Sequence, residues 1–127
     1  MKLGRLNHVG VATPSIENSI AFYRDVMGAE VIRAPFDLPA QGVKVCFVDT
    51  PNAQIELIEP LGDASPIHGF LAKNPAGGQH HLCYEVPDIH AAKACSRTRA
   101  RRCWANRGSA RTARRSSSST PRIWAAC

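Results

Sequence analysis

Every acidic residue, every histidine and every lysine of this chain lies within residues 1–94, whereas residues 95–127 hold nine arginines and no acid. The first part carries a net charge of −3 and the second +9, which together make the +6 of the whole chain. A packed domain needs periodic apolar residues inside and mixed charge outside, and only residues 1–94 supply both. The chain therefore divides into a candidate domain, 1–94, and a basic Arg/Ser/Ala-rich tail, 95–127.

At 127 residues the chain is one domain by length. No apolar run reaches the length of a membrane span, and Met1-Lys2-Leu3-Gly4-Arg5 leads into a strand pattern, not a signal peptide. A cytoplasmic protein without a membrane partner is expected. The five cysteines (Cys46, Cys83, Cys95, Cys103, Cys127) form no C-x-x-C pair, and Cys46 and Cys83 fall in apolar strands as reduced, buried thiols.

Leu6 to Ala12 reads as a strand, and Thr13-Pro14 as an N-cap followed by proline at the first helical position. Ile16, Ile20, Tyr23 and Met27 then make one apolar helix face, which Gly28 ends. Glu30 to Ala34 is a strand, Pro35–Gly42 a loop, Val43, Val45 and Phe47 an alternating strand, and Gln54 to Glu59 another. This is a β-α-β-β-β order. A short helix from Ser65-Pro66 through Phe70 and Leu71 and a loop at Asn74–Gly78 follow.

The opening then repeats: N-H-V-G-V-A-T-P-S-I at Asn7–Ile16 aligns with H-H-L-C-Y-E-V-P-D-I at His80–Ile89, an offset of 73 positions. A second β-α-β-β-β module is implied, of which only the strand and helix precede the tail. Side chains alternate along a strand, so His8, Glu56 and His81 each fall opposite their strand's apolar residues. Either they are solvated polar residues on an open sheet face, or they line a trough between paired modules. In a trough, two imidazoles and a carboxylate suit a divalent first-row metal with open positions, whether cobalt, manganese, nickel or zinc. His80 is a candidate neighbour of that site, and His68 and His90 fall on solvated helical stretches. The counterpart of Glu56 in the second module would lie near position 129, beyond Cys127.

The segments L-N-H-V-G-V-A-T-P-S-I-E, F-Y-R-D-V-M-G-A, I-E-L-I-E-P-L-G, S-P-I-H-G-F-L and G-G-Q-H-H-L-C-Y-E-V resemble the methylmalonyl-CoA epimerase family of the vicinal oxygen chelate (glyoxalase-like) superfamily. The resemblance covers residues 5–94. It implies an α+β fold with one complete βαβββ module and the start of a second. It also implies metal ligands at His8, Glu56 and His81, a fourth Glu in a later V-L-x-E-L strand that this chain lacks, and a homodimer. The implied reaction interconverts (R) and (S) methylmalonyl-CoA, a CoA thioester, by metal-assisted proton removal at the α carbon. Where the family carries a loop Glu proposed as a base this chain has Ala40, which leaves the catalytic residues unassigned and Glu56 as a candidate.

The tail has no hydrophobic period, and its composition is that of GC-rich DNA read out of frame. Shifting the frame of Trp104–Cys127 permits L-G-E-P-R-I-G-A-H-G-T-P-V-I-F-L-H-P-K-D-M-G-G-V, close to the family's continuation. A frameshift between Lys93 and Ser96 is expected, with an irregular tail and an impaired enzyme. Two rival readings remain: a glyoxalase I-like isomerase, and a non-catalytic ligand-binding fragment whose basic tail binds nucleic acid. A nucleic-acid partner is not expected, because such tails mix Lys with Arg and this one has no Lys.

Overall fold

A computed structural model describes residues 3–93 and the backbone of Arg122–Ala126. Strand β1 (Leu6–Ala12), helix α1 (Ile16–Ala21), and strands β2 (Glu30–Leu38), β3 (Val43–Asp49) and β4 (Gln54–Pro60) follow in the expected order. Helix α2 (His68–Leu71) and strand β5 (Gly78–Val86) come next, helix α3 is described over 89–93, and β6 covers Arg122–Ala126. The chain is of the α+β class. It divides into two units, His8–His80, and Met1–Asn7 with His81–Cys127.

In the first unit the strand order is β2-β3-β4-β1. β1 pairs parallel with β4, and the other two pairs are antiparallel. The sheet is apolar on both faces. On one, Ile16, Ile20 and Tyr23 pack against Cys46, Val48, Leu57, Val11 and Ile55. On the other, Phe70 and Leu71 pack with Ala12, Val43, Val45 and Ile58. Leu57 is fully buried, a burial that stabilises by roughly 1.5–3 kcal/mol.

Glu56 lies on this second face, because it pairs directly with Phe47 and with Gly10. The face of Glu56 is therefore not an open, solvated one: Val43, Val45 and Phe47 share it. Strand β3 is sandwiched, which is why Val43, Val45, Cys46 and Val48 are all buried despite their mixed parity.

Local boundaries also differ from the sequence reading. The N-cap of α1 is Ser15, whose hydroxyl accepts the Asn18 N–H. Thr13 Oγ1 instead meets the Ser15 N–H at 3.2 Å and Ser19 Oγ at 2.7 Å. The Glu59 carboxylate accepts the Ile16 N–H at 2.7 Å, placing a negative charge at the positive end of the helix. A π-helical turn over Phe22–Val26 follows α1 and rotates the register. Met27, expected on the buried face, is consequently 63% exposed.

Pro35 lies inside β2, not in a loop. The strand is at the sheet edge in this unit and carries register shifts around Arg33, so a residue without an N–H is tolerated there. Helix α2 begins at His68, three residues after Ser65.

In the second unit, β5 pairs antiparallel with β6, from Leu82↔Ala126 to Val86↔Arg122. One edge of β5 is thus lined by the backbone of β6. The expected irregular tail otherwise lies outside the described residues. The N-terminal segment joins the same unit: the Gly4 N–H reaches the Glu85 carbonyl at 2.8 Å, and the Glu85 N–H reaches the Arg5 carbonyl at 2.9 Å. Asp88 caps α3, its carboxylate accepting the His90 N–H at 2.8 Å and the Ala91 N–H at 3.3 Å. Ser15 and Asp88 are separated by the same 73 positions as His8 and His81, so the repeat extends to the helix caps.

Candidate metal centre

His8 is placed by β1 and Glu56 by β4, on the same face of a parallel strand pair in which His8 opposes Gln54 and Gly10 opposes Glu56. Gly10 presents no side chain beside the carboxylate. His8 Nε2 is 3.4 Å from Glu56 Oε2, with side-chain exposures of 9% and 2%. A carboxylate so fully removed from water requires compensating interactions. The His8 ring also meets Phe47 edge-on, with centroids 6.1 Å apart, which restricts the plane of the imidazole.

His81 belongs to the second unit, half-buried on β5 with Cys83 and Glu85 at alternate positions along the strand. His80 packs edge-on against Phe70 at 5.2 Å. His68 is exposed on α2, with Nε2 2.9 Å from the Gly62 carbonyl, and His90 is exposed on α3. The structure thus brings His8 and Glu56 together within one unit and leaves His68 and His90 at the surface. Ala40 is exposed on a single 3₁₀ turn, Pro39–Gln41, and offers no proton acceptor.

Cys46 and Cys83 are buried free thiols, as expected. Cys46 Sγ donates to the Arg33 carbonyl at 3.2 Å, and burial pushes the thiol up from its ordinary pKa, away from thiolate reactivity.

Two features escaped the sequence reading. The first is an aromatic stack on the Glu56 face: Phe36 stacks on Phe47 at 6.4 Å, and the Arg33 guanidinium lies 3.8 Å from the Phe36 centroid. Only the β3–β4 register reveals it. The second is Glu85, buried in the second unit, which accepts from Arg5 at 2.8 and 3.3 Å and from Asn7 at 3.4 Å. The hydrogen bond from Arg5 holds this carboxyl below its ordinary range. Sequence offers no local signal for partners 80 positions apart.

The sequence profile of the Glyoxalase/Bleomycin resistance protein/Dioxygenase superfamily matches residues 7–114. An ethylmalonyl-CoA/methylmalonyl-CoA epimerase of Cereibacter sphaeroides is 59% identical over 91 residues, covering 72% of this chain and 67% of that protein. The mitochondrial methylmalonyl-CoA epimerase of Mus musculus is 57% identical over 91 residues, covering 72% and 51%. The chain therefore spans about two-thirds of the first relative and about half of the second. Among solved structures, a variant of the Streptomyces coelicolor methylmalonyl-CoA epimerase in complex with 2-nitronate-propionyl-CoA aligns with a TM-score of 0.70 at 29% identity, covering 81% of this chain and 74% of that one. The Mycobacterium tuberculosis methylmalonyl-CoA epimerase aligns with a TM-score of 0.68 at 30% identity, covering 74% and 63%.

Proposed function

Because this chain belongs to the glyoxalase/bleomycin resistance protein/dioxygenase superfamily, we propose that it is a methylmalonyl-CoA epimerase, interconverting the (R) and (S) thioesters through a metal centre at His8, Glu56 and His81. The observation that carries the reading is the buried His8–Glu56 pair, 3.4 Å apart on one sheet face. The relatives named as epimerases, 59% and 57% identical, support the substrate class.

Two imidazole nitrogens and a carboxylate oxygen form a donor set that fits a divalent first-row ion. When bound, such an ion supplies a Lewis acid that stabilises negative charge on the thioester carbonyl oxygen. The chain's own residues do the rest. His8 and Glu56 hold their donor atoms side by side out of water, Phe47 fixes the imidazole plane, and the partly buried aromatic wall lowers the local dielectric around the reacting group. Ala40 cannot take a proton from the α carbon, and Glu56 is proposed as a ligand, so the chain has no assigned general base.

A positioned general base contributes typically 10²–10⁴-fold, and this chain is therefore proposed to be a slow enzyme. Chiral chromatography of (2R)-methylmalonyl-CoA incubated with the protein tests the reading. Interconversion with no activity on a glutathione hemithioacetal supports it, and the opposite pattern assigns a glyoxalase I-like isomerase instead.

Residues 95–127 are proposed to be an out-of-frame translation of the family's C-terminal strands, which also accounts for curated matches of only 90–91 residues. The intact protein is proposed to be a homodimer, which light scattering would detect. No helix among the described residues is long and apolar enough to cross a membrane.

A further inference from the structure

The register of the first unit sets Gly10, Glu56, Phe47 and Arg33 in one line across β1, β4, β3 and β2. Directly opposed residues project from the same face, so Arg33 shares the face of Glu56 at a backbone separation of about 10 Å, two strand spacings. Arg33 is an isolated pairing position with register shifts on both sides, Val31/Arg33 and Arg33/Phe36, and irregularities of this kind re-aim a side chain. Its guanidinium rests on Phe36, which stacks on Phe47, which in turn meets His8.

Two of the three other Lys and Arg residues of this unit are differently engaged, and the third, Lys73, lies just past α2. Arg24 is paired with Asp25 at 2.6 Å. Lys44 projects from the opposite face, in register with Asp37 and Glu59. Arg33 is exposed, and among the described residues it forms no ion pair. A guanidinium seated on an aromatic ring keeps its charge and loses rotamer freedom before any ligand arrives. Its donor edge suits phosphate oxygens, which it can bind in pairs.

We propose that Arg33 binds the phosphate end of a coenzyme A thioester whose acyl end lies at His8 and Glu56, with the intervening arm laid across Phe47. The proposal rests on the epimerase reading for its ligand class. A ligand anchored at Glu56 and extended along this line crosses β3 at Phe47 and leaves the sheet at Arg33, on the edge strand of this unit.

Isothermal titration with propionyl-CoA and with propionyl-pantetheine, which lacks the nucleotide phosphates, tests it on the full chain. Wild type binds propionyl-CoA more tightly than the pantetheine thioester. Arg33→Ala weakens propionyl-CoA binding roughly tenfold and leaves the pantetheine thioester unchanged, while Arg33→Lys restores part of the difference. Added salt weakens the wild type more than Arg33→Ala. Equal loss for both thioesters, no loss for either, or no binding of propionyl-CoA by the wild type overturns the proposal. Phosphate-dependent binding lost in Arg33→Ala, without interconversion of methylmalonyl-CoA by the wild type, leaves this assignment standing and removes the epimerase reading. Interconversion unaffected by Arg33→Ala does the reverse.

Discussion

His8 Nε2 lies 3.4 Å from Glu56 Oε2, with both side chains almost wholly removed from water. The two residues come from strands that begin and end the first βαβββ module, and the parallel β1–β4 pairing is what brings them onto one face. Burying a carboxylate beside an imidazole has little structural reward.

Gly77 is a backbone requirement. It has φ +83°, and a Cβ there would collide with the Ala12 carbonyl oxygen at the end of β1. Gly77→Ala is expected to destabilise the protein by about 1–3 kcal/mol, read as a lower urea midpoint. An unchanged midpoint would show that this loop is not packed on β1.

The π-helical turn after α1 predicts opposite outcomes for two residues that share an apolar period in sequence. Ile16 is 1% exposed and Met27 63% exposed. Ile16→Ala should cost about 2–5 kcal/mol and Met27→Ala about 0.5 kcal/mol or less in chemical denaturation. Equal losses would restore a regular helix through Met27.

Glu85 sets part of the acid limb of stability. Its carboxyl is lowered in the folded protein, chiefly by the Arg5 hydrogen bond. The stabilisation is therefore complete above the unfolded carboxylate pKa, near 4.3, and is lost as pH falls through the lower folded value. Arg5→Gln should flatten the decline of the urea midpoint between about pH 5 and 3. Because Arg5 is 83% exposed, salt should shrink the effect. A decline identical to wild type would show that the pair contributes nothing.

The element order and the His8/Glu56 pairing were legible because both rest on local alternation and turn residues. Asn7–Ile16 and His80–Ile89 even share their helix-cap spacing, Ser15 and Asp88. What was not legible depends on register and on neighbours in space. Pro35 belongs to a strand only because β2 is an edge with shifted pairing in its unit. Met27 leaves the core only because a π-helical turn intervenes. Arg33 joins the site's face only through its pairing with Phe47, and Glu85 finds Arg5 from 80 positions away.

The coding sequence gives an independent check on residues 95–127. Correcting a single-base shift between Lys93 and Ser96 should restore G-A-H-G-T-P-V-I-F-L-H-P-K-D and a downstream E-L. A confirmed frame with nothing family-like in the alternative would make the arginine-rich tail a genuine extension.

Equilibrium dialysis of chelator-stripped protein against cobalt or zinc asks whether His8, Glu56 and His81 hold one divalent ion. Wild type should take up one equivalent. His8→Ala, Glu56→Ala and His81→Ala should each weaken binding by about 100-fold or more, beyond the usual cost of losing an outer-shell partner, while His68→Ala and His90→Ala bind as the wild type does. Uptake of no metal by the wild type, or undiminished affinity in any of the three ligand variants, would exclude this metal centre.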